Sequence, residues 1–247
     1  SELVKVFLLF VVAYLLSRRM VVPAAIFAGV CLLMLMLQKD LGTALIYYAV
    51  TLMLVFAATR SFFYLGAGLV GALAGGVVGY NMFSHVKRRV RIWIDPWYDY
   101  EGAGYQVVQS LLALGSGGVF GVGLGQSIQK TLYLPEPQND FILAIIGEEL
   151  GFVGILVLMA AYLALIWRCC HIAVRAKDYF GMMLAAGITI IMSLQVIMNI
   201  AVVTASFPPT GVILPFVSLG GNAMVIFLSL MGIMTNISRQ AVPSKRL

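Results

Sequence analysis

Histidine is nearly missing from this chain. Only His85 and His171 occur in 247 residues, which all but excludes a metal cluster built on imidazole. Cysteine is scarce as well: Cys31 sits inside an apolar run, and Cys169 and Cys170 form an adjacent pair. None lies in the one long polar segment, so nothing points to a disulfide framework. The pair follows an expected helix end, where two small apolar fillers are favoured over a palmitoylation site. Charge is the third scarcity, at 11% of residues where a soluble domain carries about 25%. The chain has neither an initiator methionine nor a signal-peptide pattern. It opens with Ser1-Glu2 directly on an apolar run, as a piece of a longer protein does. What fills the space is hydrophobic: 62% of residues and a mean hydropathy of +1.00 describe a chain built for lipid.

Seven apolar runs recur with short polar breaks: 2–16, 22–37, 41–58, 62–83, 141–167, 179–204 and 216–237. A membrane span needs roughly 20 residues, so the first two fall short. No lipid-facing backbone amide can go unpaired, so each run is predicted to be helical. The fold class is therefore an all-α, polytopic membrane helix bundle, read as a single membrane domain. The breaks carrying Arg18 and Arg19, Arg60, Arg168 with Arg175 and Lys177, and Arg239 with Lys245 and Arg246 alternate with breaks poor in basic charge. Basic loops stay in the cytoplasm. The chain should end there, and the segment at about 84–140 should be one long extracytoplasmic loop.

That loop breaks the charge rule, because it holds Lys87, Arg88, Arg89, Arg91 and Lys130, interleaved with Asp95, Asp99, Glu101, Glu136 and Asp140. A loop so long among short ones is functional or disordered, and its tryptophans and tyrosines argue against disorder. Gln106 to Leu114 is apolar enough to lie on the membrane surface as an amphipathic turn or two. The glycines from Gly115 to Gly125 suit either close approach to a ligand or a re-entrant turn.

Asp140 follows Pro135 and Pro137 and stands where the loop re-enters the membrane. A helix N-terminus stabilises its anionic form, and an N-cap role competes with a chemical one. Glu148 and Glu149 lie about two turns further, inside an apolar span. An acid at that depth needs a partner, and adjacent residues, about 100° apart on a helix, cannot share one. Lys5 is a candidate cation, and a structural ion pair is favoured over catalysis. The Arg88 and Arg91 cluster suits an anionic headgroup or a pyrophosphate, or else forms a solvated collar. Gln195 and Asn199 read as interhelical hydrogen bonds. The Pro- and Gly-rich stretch from Pro208 to Gly221 reads as a kinked helix entry.

Several short motifs then align in order and spacing. Trp93-Ile94-Asp95-Pro96-Trp97, Gly104-Tyr105-Gln106 with Gln109-Ser110, Gly123-Leu124-Gly125 with Gln129-Lys130, and Leu134-Pro135-Glu136 come first. Asn139-Asp140-Phe141, Gly147-Glu148-Glu149-Leu150-Gly151 and Leu214-Pro215-Phe216-Val217-Ser218 complete the series. Together they resemble the SEDS family (shape, elongation, division and sporulation), the FtsW, RodA and SpoVE group. The resemblance implies ten membrane helices, of which this chain would hold the last seven. It also implies a peptidoglycan glycosyltransferase of the bacterial cytoplasmic membrane that polymerises lipid II with inversion. Asp140 would be its general base, and Lys130, Arg88, Arg91, Gln109, Ser110, Gln129 and Glu136 would meet substrate. A divalent metal (Mg2+ or Mn2+) could join the cations, although the sequence offers no dedicated cage. The implied partners are lipid II, a class B penicillin-binding protein, other divisome proteins and the membrane, with no nucleic acid. Asn139 replaces the family's usual threonine, Lys39 its proline after Gln38, and Leu219 its tyrosine. Thr235 to Arg239 looks more like the division and sporulation branch than the elongation branch. A lipid II flippase and a non-catalytic divisome scaffold stand as alternatives.

Overall fold

The computed structural model describes residues 2–100, 102–130 and 139–240, with backbone only at Glu2, Leu3, Lys5 and Ala103. Each apolar run is a helix, since only intrasegment hydrogen bonds satisfy its amides in hydrocarbon. They are α1 (Glu2–Ser17), α2 (Val21–Leu37), α3 (Leu41–Thr59), α4 (Phe62–Met82), α7 (Ile142–Arg175), α8 (Tyr179–Val203) and α9 (Gly221–Gln240). Of these, α3, α4, α7, α8 and α9 are long and apolar enough to cross a membrane, while α1 and α2 are shorter. No strand occurs among the described residues. The early turns are tight because Arg19, Lys39 and Arg60 each take a positive φ, and the Asp40 side chain then caps α3 by accepting from the Thr43 N–H at 3.1 Å.

The expected long loop is largely helical, which corrects the sequence reading. It contains α5 (Ser84–Ile94), a 3-10 turn (Pro96–Asp99) and α6 (Ala103–Gly117). Charge kept 84–94 from reading as a span, yet its polar and apolar residues keep a helical period, with Ile92 fully buried and Arg88 and Arg91 exposed. Nor is the Gln106–Leu114 stretch a surface turn or two. It belongs to α6, whose Val107, Val108, Ser110 and Ala113 are buried while Leu111 and Leu112 are exposed.

Two further boundaries move. Helix α7 runs on to Arg175 instead of ending at Trp167, because hydropathy ends there but helical geometry does not. Cys169 and Cys170 therefore lie within a helix. Helix α9 starts at Gly221 and not Phe216. Leu214 to Ser218 is a turn in which Phe216 has φ +66° and the N–H groups of Val217 and Ser218 both donate to the Leu214 carbonyl.

The described residues form two compact units. In the first, drawn from Ser1–Gly76, Leu165–Leu194 and Gly221 onward, Leu8, Leu9, Val12 and Leu54 are buried, and Leu9 and Leu54 press onto Gly187, where a Cβ would collide with Leu9. The second comprises Val77–Ala164 and Gln195–Gly220. Its core gathers Ala113 of α6, Phe141, Ala144 and Tyr162 on and beside α7, Val203 of α8 and Leu214. Every residue of the candidate site described below belongs to this second unit.

Candidate active site

The glycine-rich stretch after α6 settles as a backbone clasp. Helix α7 is interrupted at Gly151, whose φ of +67° and ψ of −167° lie in a region open essentially to glycine. A continuous helix would bond the Phe152 and Val153 N–H groups to the Glu148 and Glu149 carbonyls. Here Phe152 and Val153 donate to the Gly118 and Val119 carbonyls, at 3.0 and 3.1 Å, and the freed Glu148 and Glu149 carbonyls accept from Val122 and Gly123, at 2.9 and 3.0 Å. Four bonds to an inserted segment thus take the place of the two that a continuous helix would make here. The approach needs bare backbone: a Cβ on Gly117 would meet the Gly147 carbonyl, and one on Gly121 the Glu149 carbonyl.

The clasp delivers two acids to two different partners. Glu148, only 2% exposed, accepts from the Ser127 hydroxyl at 2.5 Å and from the Ile128 and Gln129 N–H groups at 3.1 and 3.5 Å. The Ser127 oxygen in turn accepts from the Lys130 N–H at 2.9 Å. A buried carboxylate thus caps the helical turn that begins at Ile128, satisfying amides that point the same way. Glu149 pairs with the Lys130 ammonium at 3.0 Å. Glu149 thus takes its cation from the loop, and the side chain of Lys5, the expected partner, lies outside the described residues.

Asp140 stands two residues before α7, half-buried. The helix begins at Ile142, so Phe141, whose carbonyl accepts from Ala144 and Ile145, holds the cap position instead of Asp140. The Asp140 carbonyl accepts from Asn199 Nδ2 at 2.9 Å, and the same nitrogen donates to the Val212 carbonyl at 2.8 Å. The loop after α8 passes alongside, since a Cβ built on Gly211 would stand 3.5 Å from Asp140 Oδ2. Farther along, the Tyr162 hydroxyl donates to the Pro215 carbonyl, and the Leu214 N–H donates to Ser218 Oγ at 2.8 Å.

The remaining candidates divide. Arg88 forks onto Asp99 at 2.6 and 3.0 Å, and Arg91 donates to the Tyr98 hydroxyl at 3.0 Å while lying over its ring. Both stay exposed. Ser110 is fully buried and donates to the Val203 carbonyl at 2.9 Å, and Gln109 is buried beside it. Gln129 is half-buried, with Oε1 lacking a hydrogen-bond partner among the described residues. Glu136 lies outside the described residues. Among the described residues no three His, Cys, Asp or Glu side chains converge, so they form no cage for a divalent ion. Sequence reasoning missed the clasp, the Glu148 cap and the reach of Asn199 to Asp140. Only the first left a trace, in Gly151 standing within an apolar span.

A helical, multi-pass membrane protein with an acid at the junction of a structured loop and a broken span is the class that fold and site define. The chain belongs to the family described as "Cell cycle protein", FTSW_RODA_SPOVE, whose profile matches residues 1–242. It is 42% identical to "Probable peptidoglycan glycosyltransferase FtsW" of Geobacter sp. (strain M18), over 96% of this chain and 67% of that protein. It is also 42% identical to "Stage V sporulation protein E" of Bacillus subtilis (strain 168), over 90% of this chain and 61% of that protein. A solved structure described as "Structural coordination of polymerization and crosslinking by a peptidoglycan synthase complex" matches with a TM-score of 0.81 and 25% identity, over 98% of this chain and 70% of that one. The chain thus spans about two thirds of the length of these relatives.

Proposed function

We propose that this chain carries the catalytic base of a peptidoglycan glycosyltransferase that polymerises lipid II, the undecaprenyl-pyrophosphate-linked disaccharide pentapeptide, in cell division or sporulation. The reading rests on one observation: a half-buried carboxyl group, Asp140, is held at the end of a membrane helix with the loop after α8 against it. Acting as general base, Asp140 takes the proton of the acceptor 4-hydroxyl as that oxygen attacks C1 of the donor sugar. The new C1–O bond forms with inversion as the old one breaks, and undecaprenyl pyrophosphate departs with its electron pair. Lys130, Arg88 and Arg91 offer positive charge for the pyrophosphate, while Gln129 and Glu136 sit on the approach to Asp140 in sequence. Ser110 contributes by tying α6 to the Val203 carbonyl at the end of α8. The loop faces outward from the bacterial cytoplasmic membrane, the chain end faces the cytoplasm, and a class B penicillin-binding protein serves as the crosslinking partner.

The test is polymerisation of purified lipid II by the full-length protein with its transpeptidase. Asp140→Ala is expected to lower the glycan yield by about 10²-fold or more, the scale of a lost general base, with the protein still folded in the membrane. Wild-type yield from folded Asp140→Ala protein would remove the assignment.

A further inference from the structure

One buried amide on α8 joins the candidate base to the loop that runs beside it. Asn199 has no exposed surface, and its Nδ2 reaches the Asp140 carbonyl at 2.9 Å and the Val212 carbonyl at 2.8 Å. An amide nitrogen has two protons, and two carbonyls use both. Its Oδ1 has no hydrogen-bond partner among the described residues. The two carbonyls therefore fix which way the amide faces, because a flip would set three oxygens together. Gly211, next to Val212, has φ +73°, and a Cβ built on it would stand 3.5 Å from Asp140 Oδ2. The far end of the same loop is tied down by the Tyr162 hydroxyl on the Pro215 carbonyl and by Ser218 on the Leu214 N–H.

We propose that Asn199 is the positioning residue for Asp140: one side chain sets the backbone of the base and of the loop beside it at a common distance. The proposal rests on the reading of Asp140 as the base. Asn199 touches no reacting atom in this role and acts through the Asp140 main chain. A general base must come within hydrogen-bond reach of the proton that it removes, and a misplacement of about 1 Å costs on the order of 10²-fold. The effect falls on turnover and spares substrate binding. Few substitutes serve: Asp offers no donor, Ser offers one with a shorter reach, and Gln carries the amide one methylene too far.

Asn199→Ser and Asn199→Asp, made in the full-length protein and assayed with lipid II beside Asp140→Asn, test this. Both Asn199 variants are expected to lower kcat by on the order of 10- to 10²-fold, with KM for lipid II within about twofold. Amide hydrogen exchange should rise in 139–145 and 205–215 and stay unchanged in α5 and α6. Should Asn199→Asp fail to fold, Asn199→Ser, which keeps a donor, decides alone. A folded Asn199→Ser protein with wild-type kcat, or one in which exchange rises throughout and KM and kcat worsen together, overturns the positioning role. If Asp140→Asn is inactive while Asn199→Ser is unaffected, the base reading stands and only this inference falls. If Asp140→Asn turns over at the wild-type rate, both fall.

Discussion

Glu148 shows what a membrane interior demands of one residue. A carboxyl group that is 2% exposed needs hydrogen-bond donors, and it finds three in the Ser127 hydroxyl and the amides of Ile128 and Gln129. Removing the acceptor takes a partner from the buried Ser127 hydroxyl and from two part-buried amides, and a buried donor without its acceptor costs about 1–3 kcal/mol. Glu148→Ala is therefore expected to destabilise the protein by about 2–4 kcal/mol, read as a fall in the thermal midpoint in detergent or nanodiscs. Glu148→Gln, which keeps one oxygen for the two amides, should cost less than half as much. Equal midpoints for Glu148→Ala and wild type would show that the cap contributes nothing. The sequence already separated these acids, since neighbours on a helix diverge by about 100°, and Glu149 does take its own partner in Lys130. It could not show that the partner of Glu148 is mainly backbone. Amides have no letter in a sequence, and their direction exists only once the turn at Ile128 has formed.

At the scale of elements, the break in α7 explains why glycines cluster in two separate stretches. Gly117 and Gly121 belong to the inserted segment, Gly147 and Gly151 to the helix that it enters, and each stretch is shaped by the other. The apolar pattern of 141–167 reads as one unbroken helix because hydropathy survives the interruption. The break itself was not legible, since its four replacement bonds pair residues about 30 positions apart. The same reasoning failed for α5, where charged residues interrupt the apolar pattern, and for α6, where Gln109 and Ser110 are buried while Leu111 and Leu112 are exposed. Two substitutions distinguish glycine as clasp from glycine as filler. Gly151→Ala faces a forbidden backbone angle and collides with the Val119 carbonyl, so a loss of about 2 kcal/mol or more is expected. Gly115→Ala, in α6 with nothing within 4 Å of its Cβ, should instead gain about 0.5–1 kcal/mol from helix propensity. Chemical or thermal unfolding of the two variants side by side checks the contrast, and similar shifts in both would contradict the clasp.

For the whole molecule, charge orients the spans, and α5 is where the rule is tested. Its Lys87, Arg88, Arg89 and Arg91 would by themselves draw the segment to the cytoplasm. Two features oppose that. The segment belongs to a long stretch between spans, and long stretches cross largely regardless of charge. Its cations are also locally engaged, with Arg88 on Asp99, Arg91 on the Tyr98 ring and Lys87 over the Tyr80 ring. Helix α4, at 21 residues, is about 31 Å long, the length of a membrane span. In a protein with Cys31, Cys169 and Cys170 replaced by serine, an impermeant maleimide added to intact spheroplasts should label Ser206→Cys and Arg88→Cys. It should reach Lys177→Cys only after lysis, which is the side that the positive-inside rule predicts for Arg168, Arg175 and Lys177. Labelling of Arg88→Cys only after lysis, with Ser206→Cys still open, would place α5 and the approach to Asp140 in the cytoplasm. No acceptor strand outside the cell could then reach the carboxyl group, so this one labelling pattern decides whether the charge anomaly marks an outer site.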